Sequence, residues 1–199
     1  LSNEVLEEGG QVLYLLPEIA LTTQVIGRMR ARFGDQVVVF HSRVPQRERT
    51  ELWLRMQRDP DAHRVVIGAR SSLFLPYHDL RLVIVDEEHD PSYKQHDPAP
   101  RYNARDMALV LATIHGARAL LGSATPSLES IYNARIGKFG YAELLTRYGE
   151  GTLPTIVRVD LADAHKRKAM RGHFSVTLLE GLQQALDRKE QAIIFQNRR

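Results

Sequence analysis

Four consecutive apolar residues, 82–85, are followed immediately by the acidic sequence Asp86-Glu87-Glu88-His89. An apolar run of this length predicts a β-strand that is buried on both faces, as in a parallel sheet with helices on each side. Open α/β sheets bind ligands at the carboxyl ends of their strands. We therefore expect Asp86 and Glu87 to line a crevice, although an isolated Asp-Glu pair could instead simply cap the next segment.

The two carboxylates together have the chemistry that nucleotide hydrolysis needs. One carboxylate can hold a magnesium ion, directly or through a water, and the next can orient an attacking water and accept its proton. A phosphate-cradling loop of the type Gly-x-x-x-x-Gly-Lys-Ser/Thr is absent from the 199 residues. We expect that loop to precede Leu1, because residues 3–8 have the pattern of the end of a helix.

Short apolar segments alternate with amphipathic segments along most of the chain. Further strands are predicted at 11–16, 37–40, 64–68 and 117–121, and helices are predicted from Pro17, over 46–58, over 104–115 and after a cap at Thr125. Such alternation implies right-handed crossovers and a parallel sheet. The predicted fold class is therefore α/β, a doubly wound parallel sheet with helices on both faces.

The pattern changes after about Leu145. Gly149, Gly151 and Pro154 indicate a linker, and strands are predicted at 155–159 and 191–195, on either side of a helix that Ser175 caps. The last predicted strand has no following helix to cover it. We therefore predict one unit over 1–146 and the beginning of a second over 147–199, and we expect the chain to be part of a longer protein.

The composition excludes several classes of protein. The chain has a formal net charge of +3, a pI near 9.3 and no cysteine. The lack of cysteine excludes disulfides, thiol catalysis and cysteine-ligated zinc within these residues. No apolar run has the length of a membrane span and none resembles a signal peptide, so we expect a soluble, cytosolic protein.

The acidic sequence has a companion at the end of the next predicted strand. Asp86-Glu87-Glu88-His89 followed by Ser123-Ala124-Thr125 resembles motifs II and III of the superfamily 2 helicases. Residues 16–22 resemble motif Ia, residues 68–74 resemble motif Ib and residues 90–106 resemble an aromatic-rich loop, all in the form found in the primosomal replication-restart helicases. Residues 195–199 are similar to the start of the second lobe of those enzymes.

The resemblance implies a RecA-like P-loop NTPase fold, with 1–146 as the first helicase lobe and 147–199 as the start of the second. It also implies a 3′ to 5′ DNA helicase of the bacterial cytoplasm and nucleoid, which uses ATP and Mg²⁺ to restart stalled forks. Expected partners are single-stranded and forked DNA, primosome proteins and single-strand-binding proteins, with no membrane. Zinc is expected in the full-length enzyme, but its cysteines are absent here, and the 199 residues alone are expected to be inactive.

The resemblance also implies roles for the acidic motif and its companion. Asp86 would coordinate the magnesium of the nucleotide, and Glu87 would position the hydrolytic water. Glu88 and His89 would relay the state of the nucleotide to the coupling motif Ser123-Ala124-Thr125. The alternatives are that the acidic motif consists of ordinary surface acids and that Ser123-Ala124-Thr125 forms a capping turn.

A second set of polar and aromatic residues is expected to bind DNA. Hydroxyls and a guanidinium beyond strand ends can contact phosphates without reading sequence, and rings in the loop could stack on bases. The candidates are Thr22, His41, Ser42, Arg70, Ser71 and Ser72 beyond the strands, and Tyr93, Lys94, Tyr102 and Arg105 in or beside the loop. The alternatives are that the hydroxyls cap helices or turns and that both tyrosines pack against the lobe.

Two other functions remain open from the sequence. The first is another superfamily 2 DNA translocase, which would share the Asp-Glu-x-His chemistry but would not be expected to carry the loop in this form. The second is a non-enzymatic module that binds DNA or a protein partner.

Overall fold

The computed structural model describes residues 1–146 and 154–196. The chain divides into two compact units, Leu1–Ala142 and Glu143–Arg199. The predicted linker glycines Gly149 and Gly151, and the terminal residues Asn197, Arg198 and Arg199, lie outside the described residues. The predicted domains, 1–146 and 147–199, remain a prediction.

The first unit, whose residues are all described, is built on a parallel five-stranded sheet with the order β2-β3-β1-β4-β5. The strands are β1 (Gln11–Leu15), β2 (Val37–Phe40), β3 (Val65–Gly68), β4 (Leu80–Asp86) and β5 (Arg118–Gly122). The α-helices of this unit are α1 (Ser2–Glu7), α2 (Thr23–Phe33), α3 (Gln46–Arg58), α4 (Ala104–His115) and α5 (Leu128–Arg135). Short 3₁₀ turns cover Glu18–Ala20, Gly34–Gln36, Arg70–Phe74 and Pro91–Tyr93.

Apolar residues cover both faces of the sheet. Leu13, Val66 and Val85 pack with Met56 of α3 and Ala108 of α4 on one face. On the other face, residues of β1, β3 and β4 pack against α1 and α2, with members that include Val12, Val65, Ile67, Leu82, Val5 and Met29. Leu82, Val83 and Val85 of β4 are fully buried. The predicted doubly wound α/β sheet with a doubly buried β4 is therefore confirmed.

Two predicted helix starts in this unit were wrong. The helix predicted from Pro17 begins only at Thr23, because the extended backbone of Thr22 lets its Oγ1 accept a hydrogen bond from the Val25 amide at 3.4 Å. The cap of α5 is Ser127 rather than Thr125, since the Ser127 hydroxyl accepts from the Ser130 amide at 3.3 Å. Each helix therefore starts later than the sequence pattern suggested.

The described part of the second unit is small and locally connected. Its elements are α6 (Leu161–Lys166), an antiparallel pair β6 (Met170–Arg171) and β7 (Phe174–Ser175), and α7 (Val176–Asp187), which Ser175 caps as predicted. The strands predicted at 155–159 and 191–195 are not formed among the described residues. Ile193 and Phe195 are 98% and 89% exposed, and neither segment pairs with a neighbouring strand in 1–146 or 154–196. None of the helices in the described ranges is long and apolar enough to cross a membrane.

Gly68 ends β3 at a point where the chain has no room for a side chain. A Cβ atom there would lie 2.5 Å from the Phe40 carbonyl oxygen and 2.6 Å from Cβ of Ser72. We predict that Gly68→Ala lowers the free energy of unfolding by about 2 kcal/mol, because backbone must move to admit the methyl group. Urea denaturation of the full chain measures this effect.

Gly27 provides the matched control, since a Cβ atom there meets nothing within 4 Å inside α2. Gly27→Ala should raise the free energy of unfolding by about 1 kcal/mol, through helix propensity. Equal effects of the two substitutions would contradict the close approach at Gly68.

Candidate active site

The carboxyl ends of the five strands of the first unit meet at one edge, because the strands are parallel. Asp86 is the last residue of β4, and β5 beside it ends at Gly122, opposite Asp86 in the register. This edge therefore brings the acidic motif next to Ser123-Ala124-Thr125. The segments that follow β1, β2 and β3 reach the same edge.

Asp86 is half-buried, and its two carboxylate oxygens have separate donors. The Tyr14 hydroxyl donates to Oδ2 at 3.0 Å, and the Glu87 amide donates to Oδ1 at 3.0 Å. A carboxylate held in this way keeps further lone pairs for a cation or a water. Asp86 thus fits the role of a single hard ligand at the mouth of the site.

Glu87 has an unusual backbone conformation. Its φ of 48° lies in the left-handed region, which is unfavourable for a residue with a side chain. The side chain is 48% exposed, although its neighbour Glu88 is buried. The turn therefore separates two consecutive glutamates, with one facing solvent and one facing the protein.

His89 joins the acidic motif to the motif beyond β5. Its Nδ1 lies 2.7 Å from the Ser123 hydroxyl oxygen, and its Nε2 lies 3.3 Å from the Thr125 hydroxyl oxygen. The same Nδ1 lies 3.6 Å from a carboxylate oxygen of Glu87. The structure therefore brings His89, Glu87, Ser123 and Thr125 together, and Ala124 is exposed between the two hydroxyls.

Among the described residues Glu88 makes no hydrogen bond to Ser123 or Thr125, and its part in the relay stays a prediction. It is 3% exposed and accepts hydrogen bonds from the Ser127 amide at 2.6 Å and from the Ser127 and Ser130 hydroxyls, both at 3.0 Å. Burial favours the neutral acid, but these bonds and a contact with Arg105 outweigh it and hold the pKa of Glu88 below its ordinary value. Glu88 fastens the start of α5 to the end of β4.

Arg105 was predicted to meet DNA phosphates, and the structure contradicts this role. Its side chain is 11% exposed, and Nη1 lies 3.3 Å from Glu88 and 2.8 Å from the Ser127 hydroxyl. Its Nε donates to Asp106 at 2.8 Å. The guanidinium neutralises a buried carboxylate. If Arg105 moved away to bind a phosphate, Glu88 would remain buried without a positive partner, which is costly.

Tyr93 was predicted to stack on bases, and this prediction was also wrong. The ring is 2% exposed, and the hydroxyl donates to the backbone carbonyls of Leu15 at 3.1 Å and Asp86 at 2.6 Å. Tyr102 is half-buried and meets Phe74 edge to face, with ring centroids 5.3 Å apart. Tyr93 therefore anchors the loop, while Tyr102 and Phe74 form an aromatic pair near the surface.

The predicted hydroxyl contacts with DNA divide into accessible and inaccessible residues. Ser72 is fully buried and donates to the Ala69 carbonyl at 2.6 Å, so its predicted phosphate contact was wrong. Ser71 is half-buried, and Thr22 and Ser42 are exposed. The Ser42 hydroxyl donates to the Glu18 carboxylate, and Nδ1 of half-buried His41 accepts from the Arg43 amide at 3.2 Å.

Arg70 joins the segment beyond β3 to the loop around Tyr93. Its Nη1 donates to the carbonyls of Ser92 at 3.4 Å and Lys94 at 3.1 Å. Beside these bonds lies an open cleft of about 330 Å³, whose lining includes Leu16, Ala69, Arg70, Pro91, Lys94 and His96. The cleft combines apolar walls with the cationic side chains of Arg70 and Lys94 and the carboxylate of Glu18, and Lys94 itself is exposed.

Sequence reasoning missed Tyr14, Ser127 and Ser130. The serines could have been found, because Ser127 follows a proline and stands directly before a helical segment, as an N-cap does. The sequence around Tyr14 contains no such signal, because its contact with Asp86 depends on the pairing of β1 with β4.

The donor set at this edge fits a metal that brings ligands of its own. Within the described residues, no group of three or more His, Cys, Asp or Glu side chains could hold a metal ion. Asp86 supplies one hard oxygen, and Mg²⁺ usually takes one or two carboxylates together with phosphate oxygens and waters. The residues therefore fit a magnesium nucleotide rather than a bare ion.

Comparison with known proteins identifies the class to which this fold and site belong. Residues 1–134 match the DEAD/DEAH box helicase family, and the chain belongs to this family.

Its particular relatives carry the name replication restart protein PriA. The chain is 43% identical to that of Rickettsia felis over 196 residues, covering 98% of this chain and 30% of the relative. It is 39% identical to that of Bacillus subtilis, covering 99% of this chain and 24% of the relative. It is 42% identical to that of Haemophilus influenzae, covering 99% of this chain and 26% of the relative. The predicted resemblance is thus confirmed, and the chain spans less than a third of the length of these relatives.

The buried Glu88 generates a prediction about stability. We expect Glu88→Gln to lower the free energy of unfolding at pH 7 by about 3 kcal/mol, because Arg105 loses its buried carboxylate partner and an amide group faces hydrogen-bond donors. Since folding lowers the pKa of Glu88, its contribution is present above the ordinary value of 4.5 and is lost as pH falls through the folded pKa. The difference between the two proteins should therefore shrink below about pH 4.5 in urea titrations.

Glu87→Gln is the matched control, because it makes the same chemical change one residue away in a side chain that is 48% exposed. It should leave stability within about 0.5 kcal/mol of the parent. A pH-independent deficit in Glu88→Gln would show that ionisation of Glu88 is not what stabilises the fold.

Proposed function

We propose that residues 1–146 of this chain form most of the first motor lobe of an ATP-dependent 3′ to 5′ DNA helicase that restarts stalled replication forks. The observation that carries the proposal is the contact of His89 with Ser123 and Thr125, which links the acid-bearing end of β4 to the end of β5. The relatives named replication restart protein PriA support the restart role. We further propose that the 199 residues alone do not turn over ATP, since they lack the phosphate-cradling loop.

The residues at the edge of the sheet divide the work of hydrolysis. Asp86 would hold Mg²⁺ or one of its waters, and the exposed carboxylate of Glu87 would orient the attacking water and accept its proton. ATP and its magnesium, when bound, supply the phosphoryl group and neutralise the charge on it. His89 would pass a change at Glu87 to Ser123 and Thr125, because the imidazole lies within reach of all three.

The DNA-facing part of the proposal rests on accessible residues. Single-stranded DNA would lie along the edge that carries Thr22, His41, Ser42, Arg70, Ser71 and Lys94, with Tyr102 available for stacking. Arg70 would connect this surface to the loop, because it holds the carbonyls on both sides of Tyr93. Forked DNA, primosome proteins and single-strand-binding proteins are proposed partners of the whole protein, in the bacterial cytoplasm.

Replacing Glu87 tests the enzymatic part of the proposal. In the full-length protein, Glu87→Gln should lower the turnover number for ATP by roughly 100-fold or more, because the water loses its base. ATP hydrolysis measured with and without single-stranded DNA, together with nucleotide binding, checks this expectation. Glu48→Gln, at an exposed position of α3, is the control and should turn over ATP as the parent does. Unchanged turnover in Glu87→Gln would show that Glu87 is not the base that accepts the proton of the attacking water.

Replacing Lys94 tests the DNA-binding surface. Lys94→Ala should lower the slope of log affinity against log salt for single-stranded DNA by about 0.7, because one phosphate contact is lost. Fluorescence anisotropy over a series of salt concentrations measures this slope. Lys138→Ala removes the same charge from an exposed position just after α5, outside the residues proposed to bind DNA, and should leave the slope unchanged. Identical slopes for both variants would exclude Lys94 from the phosphate surface.

A further inference from the structure

Tyr14 lies outside every helicase motif identified in the sequence, yet it contacts the carboxylate of Asp86. Its hydroxyl donates to Oδ2 at 3.0 Å from the neighbouring strand β1. Tyr14 pairs with Ile84 in the parallel register. Because side chains alternate along a strand, Tyr14, Ile84 and Asp86 share one face of the sheet, and the long ring of Tyr14 spans the diagonal to Asp86.

Hydrogen bonds hold both the side chain and the backbone of Asp86 in place. Tyr14 holds Oδ2 and the Glu87 amide holds Oδ1, so rotation of the carboxylate is restricted from both sides. The Tyr93 hydroxyl holds the backbone carbonyl of Asp86 at 2.6 Å and also reaches the carbonyl of Leu15, next to Tyr14. The ends of β1 and β4 are therefore joined at this point by two tyrosine hydroxyls.

Tyr14 is half-buried beside Asp86. Its hydroxyl is the donor in this bond, because an ionised carboxylate can only accept. The remaining lone pairs of the carboxylate are then held in one orientation at the carboxyl edge of the sheet.

We propose that Tyr14 is a positioning residue, which orients the Asp86 carboxylate to receive the magnesium of the bound nucleotide. The inference rests on the proposed function, because it takes Asp86 to be the metal ligand. Groups that hydrogen-bond a metal ligand from behind typically contribute 10–100-fold to metal affinity. Tyr14 would therefore act on metal affinity rather than on the binding of nucleotide itself.

The test uses the full-length protein and its affinity for Mn²⁺ in the presence of ADP, measured by electron paramagnetic resonance. Tyr14→Phe removes only the hydroxyl and should weaken Mn²⁺ binding roughly tenfold, while ADP binding without metal stays unchanged. Tyr77→Phe is the control, because it removes a buried tyrosine hydroxyl that donates to the Ser72 carbonyl at 2.9 Å. That variant should lose stability on thermal melting but bind Mn²⁺ as the parent does.

Asp86→Asn separates a failure of this inference from a failure of the proposed function. If Asp86→Asn weakens Mn²⁺ binding and Tyr14→Phe does not, Tyr14 is not a positioning residue although the metal ligand is correct. If Asp86→Asn leaves Mn²⁺ binding unchanged, the metal assignment itself falls, and the inference falls with it. If Tyr14→Phe and Tyr77→Phe weaken Mn²⁺ binding equally, the effect comes from lost stability alone, which also overturns the inference.

Discussion

The burial of β4 on both faces of the sheet is the constraint on which the rest of the first unit depends. Its apolar residues pack against α3 and α4 on one side and against α1 on the other, while β1 and β5 hold its edges. A strand held in this way cannot slip by one residue without turning an apolar side chain toward the wrong core. The position of Asp86 at the edge is therefore set by the hydrophobic packing of the strand that precedes it.

Beyond that edge, three consecutive acids have three different environments. Asp86 is half-buried between two donors, Glu87 faces solvent, and Glu88 is enclosed by Ser127, Ser130 and Arg105. The left-handed backbone of Glu87 lies in the turn that follows β4, where Glu87 faces solvent and Glu88 faces the protein. This short segment thus carries the proposed metal ligand, the proposed base and a structural anchor.

The sequence was sufficient for the alternating strands and helices, the parallel sheet and the acidic motif at its edge. These features follow from hydrophobic patterning, which is local along the chain. It was not sufficient for Tyr93, Arg105 and Ser72, since their burial depends on which segments meet in three dimensions. A tyrosine, an arginine and a serine in a polar loop or turn look alike whether they face DNA or the protein interior. The strands predicted at 155–159 and 191–195 failed for a related reason, because β propensity alone does not supply a pairing partner.

The backbone of Glu87 has a consequence for how this protein can change over time. A glycine at this position would adopt the left-handed conformation without steric cost and would stabilise the fold by about 1 kcal/mol. The same change would remove the carboxylate on which the proposed chemistry depends. Stability alone would therefore favour glycine at this position, and the proposed role of its carboxylate would account for a glutamate in a strained turn.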